Sequence, residues 1–224
     1  MKYRTIYFDL DGTLTDPGLG ITNSVIYALT RMGRTVPPRQ ALYRYIGPPL
    51  WDSFRRYEAM TQEESSQAVA LFREYFQERG KFENQVYPGV PDMLGRLRER
   101  GDTLVLATSK PEPFAVEILE HYDLDRFFSF VAGGTMDDKR SAKGDVLAYA
   151  LSAGGRGGAV MVGDRKHDVQ GARENGIPCI GVLFGYGSRR ELEEAGADGI
   201  AATVPELTEI LLGEWKWRKL RALP

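Results

Sequence analysis

After about residue 86, short apolar runs alternate with helical patterns, and this alternation constrains the fold more than any other feature of the chain. The apolar runs lie at residues 3–10, 103–108, 127–132, 159–162 and 178–184. The helical patterns lie at residues 90–100, 112–121, 144–151 and 169–175. Strands that alternate with helices of this length form βαβ units, in which helices cover both faces of a parallel sheet. We therefore predict an α/β protein with a Rossmann-like parallel sheet.

The segment from residue 17 to residue 85 breaks this alternation and reads as helical throughout. Apolar residues recur at helical spacing from Ile21 onward, and Thr61 with Glu64 forms a capping box before a second apolar face. No part of the segment reads as a strand. We predict a helical cap at residues 17–85, inserted into an α/β core formed by residues 1–16 and 86–224.

Charge, hydropathy and cysteine content exclude several classes of protein. The net charge of −2 gives no electrostatic reason to expect nucleic acid or an anionic membrane as the main partner. No apolar run approaches the ~18 residues of a membrane span. The single cysteine, Cys179, excludes an internal disulfide framework and fits a reducing compartment. We expect a cytoplasmic protein, monomeric or homodimeric, that acts on a small molecule.

Two pairs of carboxylates follow two of the predicted strands. Asp9 and Asp11 stand where the first strand runs out, and Asp164 and Asp168 follow the strand at residues 159–162. Asp-Gly is a common turn dipeptide, which explains Asp11, but a carboxylate such as Asp9 at the end of an apolar strand is costly unless it has a partner. Oxygen ligands of this kind are what Mg²⁺ prefers. The sequence therefore predicts a magnesium site at the carboxyl ends of the strands, where open α/β sheets bind ligands.

Hydroxyl and cationic side chains are predicted to lie close to these carboxylates. Thr108 and Ser109 follow the strand at residues 103–108, and Lys143 precedes the next helical pattern. Hydroxyls, backbone N–H groups and a lysine near a metal ion form a cradle for phosphate. We therefore predict that the ligand carries a phosphate group.

These features resemble, in order, the four motifs of the haloacid dehalogenase superfamily of phosphohydrolases. FDLDGTLTD at residues 8–16 is similar to the first motif, DxDGTLxD. Thr108 is similar to the second motif, a hydroxyl that closes a strand, and Lys143 to the third. GDRKHD at residues 163–168 is similar to the fourth motif, GDxxxD. A helical insertion between the first and second motifs resembles the small helical cap of some members.

Two branches of the superfamily share further features with the chain. IGPPL at residues 46–50 resembles phosphoglycolate phosphatases. RSAKGDV at residues 140–146 and the RKH segment at residues 165–167 resemble a nucleotidase-like branch. The resemblance thus implies a phosphatase of small soluble phosphomonoesters, with phosphoglycolate as the expected substrate type and a 5′-nucleotidase as the alternative.

The resemblance also implies a mechanism. Asp9 would attack phosphorus and form an aspartyl-phosphate, and Asp11 would serve as general acid and then general base. Thr108, Ser109 and Lys143 would bind the transferring phosphoryl group. The residues implied to hold Mg²⁺ or its ligands are Asp9, Asp11 (through its backbone carbonyl), Asp164 and Asp168.

Three other activities compete with a phosphatase. A dehalogenase needs no acid at the second position, so Asp11 argues against it. A sugar phosphomutase would share all four motifs and differ in what the cap presents. A non-catalytic regulatory protein would have no need of Asp9 together with Asp11.

Cap residues are expected to set selectivity. Arg55 and Arg56 are candidates to bind a second anionic group of the substrate, and Tyr45, Trp51 and Phe54 could stack on a nucleotide base. The aromatic and basic segment at residues 215–221 is expected to form a terminal helix that packs on the core.

Overall fold

The computed structural model describes residues 3–137 and 139–213, so the prediction for residues 215–221 lies outside the described part of the chain. The strands of its main sheet are β1 Thr5–Phe8, β4 Thr103–Pro111, β5 Phe130–Gly134, β6 Ala159–Gly163, β7 Cys179–Val182 and β8 Gly199–Ala201. This sheet is parallel, and its strand order is β5-β4-β1-β6-β7-β8. The predicted α/β class is confirmed, and β8 is a strand that the sequence did not predict.

Alternate residues of β1 face opposite sides of the sheet. Ile6 and Phe8 belong to one hydrophobic cluster and Tyr7 to the other, and all three side chains are fully buried. A strand that is covered on both faces has a continuous run of apolar residues, and β1 could be predicted from the sequence for that reason. The helices that provide this cover are α5 Val90–Glu99, α6 Glu112–His121, α7 Lys143–Gly154, α8 Lys166–Glu174, α9 Arg189–Ala195 and α10 Val204–Leu212.

The inserted segment is helical, as predicted, and a short ribbon joins it to the core. Its helices are α1 Gly18–Arg31, α2 Arg39–Leu42, α3 Leu50–Glu58 and α4 Gln62–Tyr75, which continues as a π-helical turn to Gly80. The ribbon pairs β2 Thr15–Asp16 with β3 Gln85–Val86, antiparallel. Each of its strands has two residues, too few for any periodicity to reveal them. The ribbon holds the two ends of the insertion together beside the end of β1.

Helix α4 begins as the sequence predicted. The Thr61 hydroxyl accepts a hydrogen bond from the Glu64 backbone N–H at 3.2 Å, and the Glu64 carboxylate accepts one from the Thr61 N–H at 2.8 Å. These two bonds satisfy N–H groups that have no partner within the helix. No helix in residues 3–137 and 139–213 combines the length and the apolar composition needed to cross a membrane.

Candidate active site

Three carboxylates meet at the carboxyl ends of β1 and β6. Phe8 and Val162 are paired in these neighbouring parallel strands, so Asp9 and, one position further along, Asp164 leave the sheet at the same edge. Asp168 joins them from the first turn of α8, where its carboxylate accepts a hydrogen bond from the Arg165 N–H at 3.0 Å. One oxygen from each of Asp9, Asp164 and Asp168 lies within 4.8 Å of the others, and all three residues are buried.

Lys143 lies between two of these carboxylates. Its Nζ is 2.8 Å from Asp9 Oδ1 and 2.8 Å from Asp168 Oδ1, and it donates a hydrogen bond to the Ala107 carbonyl at 3.1 Å. The residue is buried at the start of α7. Burial lowers the pKa of Lys143, but the charges of Asp168 and Asp9 outweigh it and raise this pKa above its ordinary value. Lys143 is therefore a fixed cation in the site.

The site holds more negative charge than Lys143 can offset. Burial, followed by the charges of Asp168 and Asp9, raises the pKa of Asp164 well above its ordinary value. Burial, partly opposed by Lys143 and reinforced by Asp9, raises the pKa of Asp168 to about 6. Asp164 Oδ2 accepts a hydrogen bond from the Tyr186 N–H at 2.7 Å, whereas its buried Oδ1 has no hydrogen-bond partner among the described residues. A free carboxylate oxygen in a cluster of excess negative charge fits a hard divalent cation such as Mg²⁺.

Glycine backbones enclose Asp164. Gly12 has φ of +81°, and a Cβ at that position would overlap the Asp164 carboxylate. A Cβ at Gly185 would overlap both the Gly12 carbonyl and the same carboxylate. The loop after β7 that carries Gly185 and Tyr186 is therefore part of the site. The sequence analysis did not predict this, and the glycines of the loop were the one signal that could have indicated it.

Asp11 lies apart from the three clustered carboxylates. Lys110 Nζ donates a hydrogen bond to Asp11 Oδ1 at 2.7 Å and also stands 4.8 Å from the centre of the Phe76 ring, which belongs to the insertion. Burial raises the pKa of Asp11, and Lys110 opposes this shift. The structure thus brings together three of the four predicted carboxylates, and a metal contact of Asp11 through its backbone carbonyl stays a prediction. The sequence places Lys110 as a cation directly after Thr108 and Ser109 at this strand end, but the sequence analysis assigned it no role in the site.

A cavity of about 470 Å³ opens between the insertion and the carboxyl ends of the strands. Asp9, Asp11, Thr108 and Ser109 line its core side. Aromatic residues line much of the rest, namely Tyr45, Trp51, Phe72, Phe76 and Phe114. Of the three predicted stacking residues, Tyr45 and Trp51 face the cavity, while Phe54 is buried behind Tyr45 with ring centres 5.2 Å apart.

Arg55 and Arg56 do not line this cavity. They line a second cavity of about 670 Å³, together with Arg165, Lys166 and His167 at the start of α8. Burial and the charges of Arg165 and Lys166 lower the pKa of His167. The structure therefore separates the two arginines that were expected to bind the substrate from the cluster around Asp9.

The chain is similar to a family of hydrolases, to two curated phosphatases and to a protein kinase. The family model of haloacid dehalogenase-like hydrolases matches residues 6–182. A 5′-nucleotidase of Pseudomonas aeruginosa is 41% identical over 213 residues, which cover 94% of this chain and 96% of the relative. The tyrosine-protein kinase PtkA of Mycobacterium tuberculosis is 39% identical over 215 residues, which cover 93% and 72%. Phosphoglycolate phosphatase 1 of P. aeruginosa is 30% identical over 200 residues, which cover 85% and 73%.

A solved structure shares the whole architecture. The crystal structure of a predicted phosphatase from Clostridium acetobutylicum superimposes with a TM-score of 0.92 at 42% sequence identity. The similarity covers 95% of this chain and all of that one. Both the core and the insertion are therefore present in a chain of similar size.

Proposed function

The chain belongs to the haloacid dehalogenase-like hydrolases and is a phosphoric monoester hydrolase, and we propose that it acts on small phosphomonoesters, with a nucleoside monophosphate as the best-fitting substrate. The main support for this proposal is the lining of the cavity of about 470 Å³. It combines Asp9, Asp11 and Thr108 at one end with an aromatic wall around Trp51 at the other. This arrangement suits a ligand with a phosphate at one end and a flat, apolar group at the other.

Mg²⁺ fits the carboxylate cluster, and Asp9, Asp164 and Asp168 are the side chains that would hold it or its water ligands. When bound, the ion would offset the negative charge that gathers where phosphate meets carboxylates. The unpartnered Oδ1 of Asp164 supports this assignment. The resemblance to the haloacid dehalogenase superfamily implies the backbone carbonyl of Asp11 as a further ligand.

Asp9 attacks phosphorus, and the bond from phosphorus to the leaving oxygen breaks as an aspartyl-phosphate forms. Asp11 gives a proton to the leaving oxygen and then takes one from the water that hydrolyses the aspartyl-phosphate. Lys143, 2.8 Å from the Asp9 carboxylate, keeps the nucleophile in place and offsets charge on the phosphoryl group. The hydroxyl of Thr108 and the backbone N–H of Ser109 bind phosphoryl oxygens; both residues line the cavity.

The charges in the cavity favour a nucleotide over phosphoglycolate. Phosphoglycolate carries a carboxylate beside its ester, so it needs a cation within the cavity. Among the described residues, the cationic ones that line the cavity are Lys110 and Arg73. Both have other partners: Lys110 bonds Asp11, and Arg73 donates to the Met136 carbonyl at 3.1 Å. Phosphoglycolate would also fill only a small part of about 470 Å³, whereas a nucleoside would cover the aromatic wall. The relative that is named a 5′-nucleotidase supports the same choice.

A panel of substrates tests the proposal. We expect kcat/KM for at least one nucleoside monophosphate to exceed that for phosphoglycolate and for a sugar phosphate, with activity lost in excess chelator and restored by Mg²⁺. Asp9→Asn is the matched control, since it replaces one oxygen and keeps the shape of the side chain. Phosphoglycolate as the preferred substrate would restore the competing assignment. A rearranged sugar phosphate without release of inorganic phosphate would indicate a mutase, and transfer from ATP to a protein tyrosine would indicate a kinase.

A further inference from the structure

The second cavity lies at the junction between the insertion and the core, and Asp9, Asp164 and Asp168 are not among its lining residues. Arg55, Arg56 and Tyr57 reach it from α3, and Arg165, Lys166 and His167 reach it from the start of α8. Its volume of about 670 Å³ is within the range of small-molecule sites. A ligand in this cavity would contact both parts of the chain at once.

The lining of the second cavity is strongly basic. It contains four cationic side chains, Arg55, Arg56, Arg165 and Lys166, and a single described carboxylate, Asp52. Arg165 is held by Glu191, whose carboxylate accepts a hydrogen bond from Arg165 Nε at 2.9 Å. The side chains of Arg55, Arg56 and Lys166 form no ion pair with any residue in the described ranges. Three cations are thus left together in a concave surface, where like charges repel unless an anion joins them.

We propose that the second cavity is an anion site, distinct from the catalytic cavity, that binds a ligand with two or more linked phosphate groups. Arginine and lysine side chains are the usual partners of phosphate oxygens in proteins. Arg55 and Arg56 stand on one side of the cavity and Lys166 on the other, and Asp52 offsets only one of their three charges. A chain of linked phosphates can reach cations on both sides, so it matches this distribution better than a single phosphate group. Such a ligand binds side chains of both α3 and α8, and it therefore stabilises the contact between the insertion and the core.

The two cavities share a wall, so a ligand in one affects the other. Pro48, Pro49 and Asp52 line both. The segment before this wall is attached to the core, because the Arg165 guanidinium donates a hydrogen bond to the Ile46 carbonyl. A ligand that draws α3 towards α8 therefore stabilises the arrangement in which the catalytic cavity is covered. By linkage, that ligand favours substrate binding to the same extent as substrate favours the ligand.

Calorimetric titration in metal-free buffer tests the site without any need for catalysis, so its outcome is independent of the proposed function. The probes are sodium tripolyphosphate and adenosine triphosphate. The test variant Arg56→Gln/Lys166→Gln removes one charge from each side of the junction and leaves Arg55, which stacks on Trp51, in place. The matched control Arg190→Gln/Lys139→Gln removes the same two charges from exposed positions elsewhere.

We expect the test variant to bind tripolyphosphate at least about tenfold more weakly than wild type, and the control to change by less than about twofold. Tighter binding of adenosine triphosphate than of tripolyphosphate would identify a nucleotide as the ligand class, and equal binding would identify the polyphosphate chain itself. Equal affinity of test variant and control would overturn the proposal. So would a fall in kcat/KM for a nucleoside monophosphate in the test variant without added polyphosphate, because the cavity would then be part of the substrate site.

Discussion

Replacement of Lys143 by methionine should destabilise the metal-free protein more than any replacement of an exposed lysine. The ammonium group lies 2.8 Å from one oxygen of Asp9 and 2.8 Å from one of Asp168, and all three residues are buried. Removal of one partner of a buried ion pair costs about 3–5 kcal/mol, because the remaining charge stays buried without compensation. Here two carboxylates lose the same cation, so we expect the upper part of that range. This is a large share of a total stability of about 5–15 kcal/mol.

Urea denaturation in excess chelator measures the effect. Lys139→Met is the matched control, because Lys139 also forms an ion pair, 2.9 Å from Asp137, but is exposed. We expect the control to leave the unfolding midpoint almost unchanged, because exposed ion pairs contribute little to stability. If Lys143→Met does not fold, the same comparison in an Asp9→Asn background should recover folded protein, since one of the two orphaned charges is then absent. Equal unfolding midpoints for Lys143→Met and Lys139→Met would refute the view that Lys143 holds the carboxylates together.

Four further predictions follow from the geometry of the site. Asp9→Asn should abolish both formation of the phosphoenzyme and turnover. Asp11→Asn should still form some phosphoenzyme from an aryl phosphate, because that leaving group needs no proton. Rapid-quench kinetics distinguish the two variants. Gly12→Ala should impair Mg²⁺ binding, measured by titration calorimetry, because its φ of +81° is strained for alanine and its methyl group would overlap Asp164. Trp51→Ala should raise KM for a nucleoside monophosphate and leave KM for phosphoglycolate unchanged. In excess chelator, the free energy of unfolding of the wild type should fall relative to that of Asp168→Asn as the pH rises from about 4 to about 6. The raised pKa of Asp168 means that the folded state holds this proton over that range while the unfolded state has already lost it, so a rise in pH favours the unfolded state. Urea midpoints across this pH range measure the difference.

The sheet could be predicted from the sequence wherever a strand is buried on both faces. β1 and β6 read as unbroken apolar runs for that reason, and the carboxylates that follow them had to meet because parallel neighbours end at the same edge. Strand β8 escaped prediction because its three residues include a glycine and an alanine. Helix α9, with seven residues of which six are charged or alanine, shows no apolar stripe.

Contacts between distant segments could not be predicted in the same way. Lys110 and Asp11 are 99 positions apart, and neither position shows by itself that the two side chains meet. Which side of α3 faces which cavity could not be predicted from the sequence either. Its sequence shows two arginines beside an aromatic residue, but only the packing of the helix decides that Trp51 faces the catalytic cavity while Arg55 and Arg56 line the other one.

The charged groups around Asp9 belong to the core, whereas most of the apolar wall of the cavity belongs to the insertion. This division lets one site combine a rigid cluster of reactive groups with selective binding. Asp9, Lys143 and Asp164 stand on the ends of core strands and helices, where the sheet fixes their separation. The insertion lines the cavity mainly with aromatic and apolar side chains, and its charged residues in the described lining are Asp52 and Arg73. In the proposed function these apolar walls exclude water and select the leaving group. Phe76 joins the two functions: its ring covers Lys110, and Lys110 holds Asp11. The insertion therefore contributes, through Phe76, to the surroundings of the ion pair between Lys110 and Asp11, the residue proposed as general acid.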